Sequence, residues 1–131
     1  MEESFKIEIV GPEKILFQDD INIATIPSYE GDMGILKNHI SIITFLRPGL
    51  VKIQKNNNEI QTFFVEDGVV EFFNNKLIIL STSAVNIKDI SRKYLDNISK
   101  NTEIMLSENG LSDDNRYLLS HKLEVIKEIN V

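Results

Sequence analysis

Short segments of alternating apolar and polar residues, separated by turn residues, occupy the first two thirds of the chain. Phe5, Ile7 and Ile9 alternate with charged neighbours, which is the period of two that a half-buried strand shows. Turn signals recur at Gly11-Pro12, Asp19-Asp20, 56–58, Asp67-Gly68 and Asn74-Asn75. Strands of this length and spacing predict a β-sandwich or barrel and argue against repeated βαβ units. The alternation assigns these side chains to the interior: Phe5, Ile7, Ile9, Ile23, Ile42, Val51, Ile53, Val69 and Ile79.

The hydrophobic period changes near Asp89, where a helical pattern begins. The stripe of this first helix consists of Ile90, Tyr94, Ile98 and Met105. Asn109-Gly110 is expected to end the helix, and Ser112, followed by two aspartates, to cap the next one. The apolar row of the second helix consists of Leu119, Leu123 and Ile126, with Asn130 at its end. We therefore expect an α+β chain, with a β-sandwich domain over residues 1–87 and an antiparallel two-helix hairpin over residues 88–131.

Composition argues against several classes of function. The net charge of −6 provides no basic face for phosphate contacts, so we expect no nucleic-acid partner. The chain has no cysteine and two widely spaced histidines, so we expect no disulfide, no thiol chemistry and no metal site. The acidic first residues do not resemble a targeting segment, and no apolar run is long enough to span a bilayer. Any association with a membrane is therefore expected to come through a partner.

Residues 31–49 concentrate turn signals and predict a rigid loop platform on the β-sandwich. Gly31 and Gly34 bracket Asp32 and Met33, where we expect a sharp turn that uses positive φ. A proline-glycine pair predicts a second turn at the end of the platform. The functional interpretation is that the first turn presents Asp32 and Met33 to a protein partner.

No constellation of residues supports catalysis. His39 stands alone in the platform and is expected to be a structural or interface residue, and His121 is expected at a solvated position of the second helix. The 31–34 segment lacks the lysine and hydroxyl residue of a phosphate-binding loop. Two alternatives to a subunit of a larger complex stay open on the residues alone. One is a stand-alone β-sandwich module that binds carbohydrate or peptide and dimerises through its helices, and the other is a small hydrolase that uses His39.

The platform resembles the epsilon subunit of F-type ATP synthases. These residues carry the resemblance: Pro27, Gly31, Gly34, Ile35, Leu36, His39, Arg47, Pro48 and Gly49. The chain departs from the family pattern at Lys37-Asn38, where proline-glycine is usual, and at Ile40-Ser41, where alanine-proline is usual. The strand pattern and the helical pair also lie where that family has them, so the resemblance covers nearly the whole chain.

The resemblance implies a ten-stranded sandwich and a non-catalytic subunit of the rotor, in the central stalk of a proton-translocating synthase. In that family the sandwich binds the gamma subunit and its loops touch the c-ring, which couples c-ring rotation to ATP synthesis. By position, the implied contacts to gamma and the c-ring are Gly31, Asp32, Met33, Gly34 and His39. The implied location is the cytoplasmic face of the bacterial inner membrane, or its organellar equivalent, with membrane contact only through the c-ring. No cofactor is implied.

The resemblance also implies a regulatory role for the helices. In some bacterial members they extend along gamma toward the catalytic alpha and beta subunits and block hydrolysis, and ATP bound to the hairpin holds them down. Asp89 and Arg92 keep the spacing of that nucleotide motif, but lysines replace its flanking residues and the second helix has a single arginine, Arg116. Because a triphosphate needs several convergent donors, we expect weak ATP binding or none, and helices that stay folded against the sandwich with at most a weak inhibitory role.

Overall fold

The computed structural model describes residues 3–129, which form ten strands and two α-helices. The strands are β1 (Phe5–Val10), β2 (Ile15–Ile21), β3 (Ile23–Ser28), β4 (Gly31–Ile35), β5 (Ile42–Leu46), β6 (Gly49–Gln54), β7 (Ile60–Val65), β8 (Gly68–Phe73), β9 (Lys76–Leu80) and β10 (Val85–Asn86). The helices are α1 (Arg92–Leu106) and α2 (Asp113–Glu128), and a short 3₁₀ turn at Ile87–Asp89 precedes them. The expected α+β fold, a ten-stranded sandwich followed by a helical hairpin, is confirmed.

The ten strands belong to one sheet that folds over on itself. The strand order is β10-β7-β6-β3-β5-β8-β9-β1-β2, and β4 pairs with β3 beside this path. The sheet turns over where β3 meets β5, through the pair Ser28–Leu46. Phe17 of β2 then faces Phe63 of β7, with ring centroids 5.4 Å apart, so strands from the two ends of the order enclose one core. All pairs are antiparallel except β1 with β9.

The predicted interior is confirmed at most positions and wrong on two strands. Phe5, Ile7, Ile9, Val51, Ile53 and Ile79 are buried, and Ile42 is half-buried against the core. Ile23 and Val69 are only half-buried, because β3 and β8 turn their other faces inward. Ala24, opposite Ile53, and Val70, opposite Ile79, are the buried residues. Since directly opposed residues share a face, pairing decides the facing where apolar residues are consecutive in sequence.

Two predicted turns are strands. Asp19 and Asp20 lie within β2, and Asp19 accepts a 2.8 Å hydrogen bond from Lys55. This hydrogen bond lowers the pKa of Asp19 and raises the pKa of Lys55. The second case is residues 31–34, which form β4 against β3, while the chain reverses at Tyr29 and Glu30. In both cases a neighbouring strand supplies hydrogen-bond partners that the local sequence does not reveal.

The glycine and asparagine turns are mostly where the sequence places them. Gly31 has the expected positive φ of 131°, but Gly34 is extended strand backbone without it. Asn58, Asn74 and Asn75 have φ of 65°, 53° and 59° in the two asparagine turns. Asparagine tolerates this left-handed region better than most side chains, so these turns are confirmed.

Helix α1 begins and ends differently from the prediction, whereas α2 begins where it was predicted. Helix α1 starts at Arg92, after Ser91 caps it by accepting a hydrogen bond from the Tyr94 amide, and it ends before Asn109-Gly110. Ile90 is buried as expected, but Met105 is 45% exposed, and Leu95 and Thr102 are the buried residues of α1. Ser112 caps α2 as predicted, with Asp113 and Asp114 in the first turn. Of the predicted α2 row, Ile126 is buried, Leu119 and Leu123 are half-buried, and Asn130 lies outside the described residues.

The hairpin packs on one outer face of the folded sheet. Phe64 of β7 is fully buried there, although its neighbour Phe63 belongs to the core between the layers. The residues packed around Phe64 are Leu50, Val85, Ile87, Ile90, Tyr94, Leu95, Ile98, Val125, Ile126 and Ile129. The helices therefore cover the outer face formed by β6, β7 and β10, and they rest against the sandwich in this structure.

Replacing Ile79 by alanine is expected to lower the free energy of unfolding by about 2–5 kcal/mol, through lost apolar burial and a cavity. Ile79 is fully buried between the layers. The matched control is Ile43→Ala, because Ile43 is 72% exposed on the same half of the sheet. Its effect should stay within about 0.5 kcal/mol. Urea unfolding followed by circular dichroism measures both, and equal effects would contradict the assigned facing.

Candidate interaction surfaces

The outer face of β5, β8 and β9 is largely apolar and is not covered by any described residue. It consists of Ile43, Phe45, Val69, Phe73, Ile78 and Leu80, with Glu71 among them and Lys76 at the end of the face, and we call it the bare face. Strand register places these side chains in adjacent rows, since Phe45 is opposite Val69, which is opposite Leu80. Phe45 is 61% exposed and Phe73 is 64% exposed. The two outer faces of the sandwich therefore differ, because one carries the helices and the other is apolar and open.

An open groove of about 410 Å³ lies at one end of the bare face. Phe45 and Leu80 line one part of it, and Gly11 and Pro12 of the β1–β2 turn line another. Tyr29 lies at its rim, with its ring centroid 6.2 Å from that of Phe45. Two aromatic rings beside a concave apolar surface are typical of protein–protein contact sites.

The structure separates the two parts of the predicted partner site. Gly31, Asp32, Met33 and Gly34 lie on β4, whose start pairs with Ser28 near the end of β5. His39 lies beyond the other end of β4, with its ring centroid 5.8 Å from that of Phe72, next to the start of β5. Five residues of β5 span about 13 Å between these ends. Residues 31–34 and His39 are therefore too far apart to contact the same small group of a partner.

Asp32 is connected to the helical hairpin through Arg47. Its carboxylate lies 3.8 Å from Arg47 Nη2, and Arg47 Nη1 donates a 2.6 Å hydrogen bond to Tyr117 Oη on α2. The ring of Tyr117 stacks on His121, with centroids 5.9 Å apart. Only 16% of the Arg47 side chain is exposed. This connection cannot be predicted from the sequence, because nothing in the order of residues brings positions 47 and 117 together.

A second polar contact holds α2 on the sandwich. Lys122 Nζ donates a 2.6 Å hydrogen bond to Glu66 in the β7–β8 turn. The Glu66 amide in turn donates to the hydroxyl of Ser83. Burial in this junction raises the pKa of Tyr94 on α1, and the negative charge of Glu66 adds to the effect. The hairpin is thus attached by both apolar packing and charged contacts.

The proposed nucleotide residues do not converge with Arg116. Asp89 ends the 3₁₀ turn and Arg92 begins α1, whereas Arg116 donates a 3.3 Å hydrogen bond to the carbonyl of Leu106 at the end of α1. The fifteen residues of α1 separate these groups by about 21 Å. A triphosphate cannot be held by both at once.

Neither histidine lies in a catalytic arrangement. The Nδ1 atom of His39 lies 2.8 Å from the carbonyl oxygen of Ile40, and its ring packs on Phe72. His121 stacks on Tyr117, and its Nδ1 atom lies 3.9 Å from Glu124. Within residues 3–129, no group of histidine, cysteine, aspartate and glutamate could hold a metal ion. No helix in that range is long and apolar enough to cross a membrane.

The chain is a β-sandwich with a helical hairpin on one outer face and an exposed, largely apolar surface on the other. The model of the ATP synthase Delta/Epsilon chain beta-sandwich domain matches residues 4–87. The ATP synthase epsilon chain of Pelagibacter ubique is 45% identical over 131 residues, covering 99% of this chain and 100% of the relative. The ATP synthase epsilon chain of Parvibaculum lavamentivorans is 31% identical, covering 98% of this chain and 97% of the relative. The chain therefore belongs to the family of ATP synthase epsilon chains.

Solved structures share the fold at lower sequence identity. A chain of the Euglena gracilis mitochondrial ATP synthase, OSCP/F1/c-ring, aligns with a TM-score of 0.74 and 16% identity, covering 97% of this chain and 79% of its own length. A chain of the Tetrahymena thermophila mitochondrial ATP synthase central stalk and c-ring aligns with a TM-score of 0.63 and 15% identity, covering 94% and 93%. The arrangement of sandwich and hairpin is thus retained where few residues are shared.

Titration of the protein with ATP in a calorimeter is expected to show a dissociation constant weaker than about 1 mM, or about 4 kcal/mol of binding free energy. The reason is that Arg92 begins α1, whereas Arg116 of α2 contacts the end of α1, so the two guanidinium groups do not converge. Arg92→Ala serves as the matched control and should give the same weak signal. Micromolar binding that Arg92→Ala abolishes would contradict the prediction.

Proposed function

We propose that this chain is a non-catalytic subunit of the rotor of a proton-translocating F-type ATP synthase. It couples rotation of the c-ring to ATP synthesis through contacts with gamma. Membership of the epsilon family supports this function over a stand-alone binding module or a hydrolase. The observation that carries the proposal is the bare face, because a coupling subunit must attach firmly to another part of the rotor.

The bare face is the proposed docking surface for gamma. Contiguous exposed apolar surface of this kind is uncommon on monomeric proteins and usually marks an interaction site. The opposite outer face is already occupied by the chain's own helices, so gamma has one apolar face to bind. His39 lies beyond the start of β5 with its ring on the core residue Phe72, so its proposed contact with gamma rests on the family resemblance and not on the bare face. The rigid double-layered sheet then transmits rotation without deforming.

The exposed edge of β4 is the proposed c-ring contact. Asp32 is exposed there and carries a charge that the polar loops of a c-ring can meet. Gly31 and Gly34 carry no side chain and Met33, expected to face a partner, packs against the core instead, so another chain can approach the backbone of this edge. Attachment to the membrane is then indirect, through the c-ring. The implied location is the cytoplasmic face of a bacterial inner membrane.

The hairpin is proposed to stay mainly on the sandwich, so that contacts of the helices with the catalytic alpha and beta subunits are infrequent. The apolar cluster around Phe64 supports this position, together with the Lys122–Glu66 and Arg47–Tyr117 contacts. Releasing α2 breaks both contacts and exposes Phe64 to water. Inhibition of hydrolysis by the helices is therefore weak in this proposal, and the domain boundary follows β10, near residue 87.

Changing Phe45 to aspartate is expected to weaken binding of the chain to a gamma-containing catalytic core by about ten-fold or more, the loss typical of a central aromatic contact. The matched control is Ile60→Asp, because Ile60 is 57% exposed but lies on β7, in the other half of the sheet. Binding is measured by surface plasmon resonance on the immobilised core. Equal affinity of both variants would contradict docking through the bare face.

Changing Asp32 to arginine is expected to leave the chain folded, because Asp32 is exposed, but to reduce ATP-driven proton pumping in reconstituted vesicles. The loss of the surface pair with Arg47 should cost at most about 1 kcal/mol of stability. The matched control is Glu59→Arg, which makes the same charge change at an exposed position at the other end of the sandwich. Normal pumping by the Asp32 variant would refute the c-ring contact.

A further inference from the structure

Glu71 lies in the middle of the bare face. Its cross-strand neighbours are Ile43 on β5 and Ile78 on β9, and its same-face neighbours along β8 are Val69 and Phe73. Four apolar side chains therefore surround one exposed carboxylate. On a solvated strand face a charged side chain normally has polar neighbours, whereas these four neighbours of Glu71 are apolar.

Glu71 differs from the other charged side chains of the same outer surface. Glu8 on β1 lies 3.3 Å from Lys76, and Asp20 on β2 lies 3.6 Å from Lys6. Within residues 3–129, the carboxylate of Glu71 makes no ion pair and no side-chain hydrogen bond. Lys76, the nearest cation in the strand register, is already paired with Glu8. Glu71 is therefore open to a partner.

Covering the bare face removes water from this carboxylate. An ionised carboxylate in an apolar contact is strongly unfavourable unless a cation with good geometry meets it. A partner with a purely apolar surface would therefore bind poorly, although the rest of the face is apolar. A partner with one basic side chain at the matching point would form a charge-assisted hydrogen bond at the centre of a desolvated contact.

We propose that Glu71 determines the specificity of the bare face, by selecting a partner surface that is apolar except for one lysine or arginine placed over this carboxylate. The inference rests on the proposed docking of gamma and specifies its chemistry. The apolar side chains around Glu71 exclude water from the ion pair, and the carboxylate rejects other apolar surfaces. The same residue keeps the free chain from self-association through this face, because two copies would bring their carboxylates together.

The experiment compares Glu71→Gln and Glu71→Lys in the full chain, binding to the gamma-containing catalytic core by surface plasmon resonance. Glu71→Gln is expected to bind about 30-fold more weakly or worse, because the partner's cation is left buried and unpaired. Glu71→Lys is expected to lose detectable binding. The matched control is Glu103→Gln, an exposed carboxylate on α1 that makes the same change in net charge. Thermal unfolding of all variants should match the wild type, since both side chains are exposed.

Charge reversal in gamma tests directly whether Glu71 pairs with a basic residue of gamma. Lysine and arginine residues of gamma are changed to glutamate one at a time, and one such variant is expected to restore binding of Glu71→Lys. If wild-type chain binds and Phe45→Asp does not, but Glu71→Gln binds like wild type, the inference fails while the docking face stands. If Phe45→Asp also binds like wild type, docking through the bare face fails as well. Loss of binding by Glu71→Lys without rescue by any gamma variant would also overturn the pairing.

Discussion

The parallel pairing of β1 with β9 holds the sandwich closed. It joins residues 6–10 to residues 76–80, the first strand to the last long one. Only with β9 in place can β1 and β2 lie against the other layer and bring Phe17 to Phe63. Because these contacts join distant parts of the sequence, closure requires almost the whole sandwich to be present and is expected to be a slow step in folding. The hairpin follows β10 in the chain and packs on the outer face of β6, β7 and β10, at the other end of the strand order.

Several strands are apolar on both faces, and this explains where sequence reasoning succeeds and fails. β1 has charged residues on its outer face, so alternation identifies Phe5, Ile7 and Ile9 correctly. In β8, Val70 faces the core and Val69 faces outward on the bare face, so two apolar residues are consecutive in sequence. Alternation cannot tell these two roles apart, whereas strand register can. The inward-facing residues of β8 could therefore not be predicted, because this strand is apolar on its outer face as well as on its inner face.

The interaction surfaces were harder to predict than the fold. The turn signals predict one loop platform over residues 31–49, yet Asp32 lies near the start of β4 and His39 lies beyond its end, so the two are at different ends of the sandwich. Arg47 was assigned to a turn, although its guanidinium contacts Tyr117 across seventy positions of sequence. Glu71 carries no sequence signal for an interaction, because a charged residue in a strand usually indicates only the solvated side. Each of these cases depends on which strands and helices become neighbours in the fold, and a local sequence pattern does not show this.

The fully buried Phe64 has a consequence for how the chain can be shortened. Without the helices, Phe64 and Leu50 would lose their cover, and the sandwich would carry apolar surface on both sides. Such a particle can stack on its copies face to face, first as pairs and then as larger aggregates. The hairpin thus shields this surface from water, and truncation or proteolytic cleavage near residue 90 is expected to lower the solubility of the remaining sandwich.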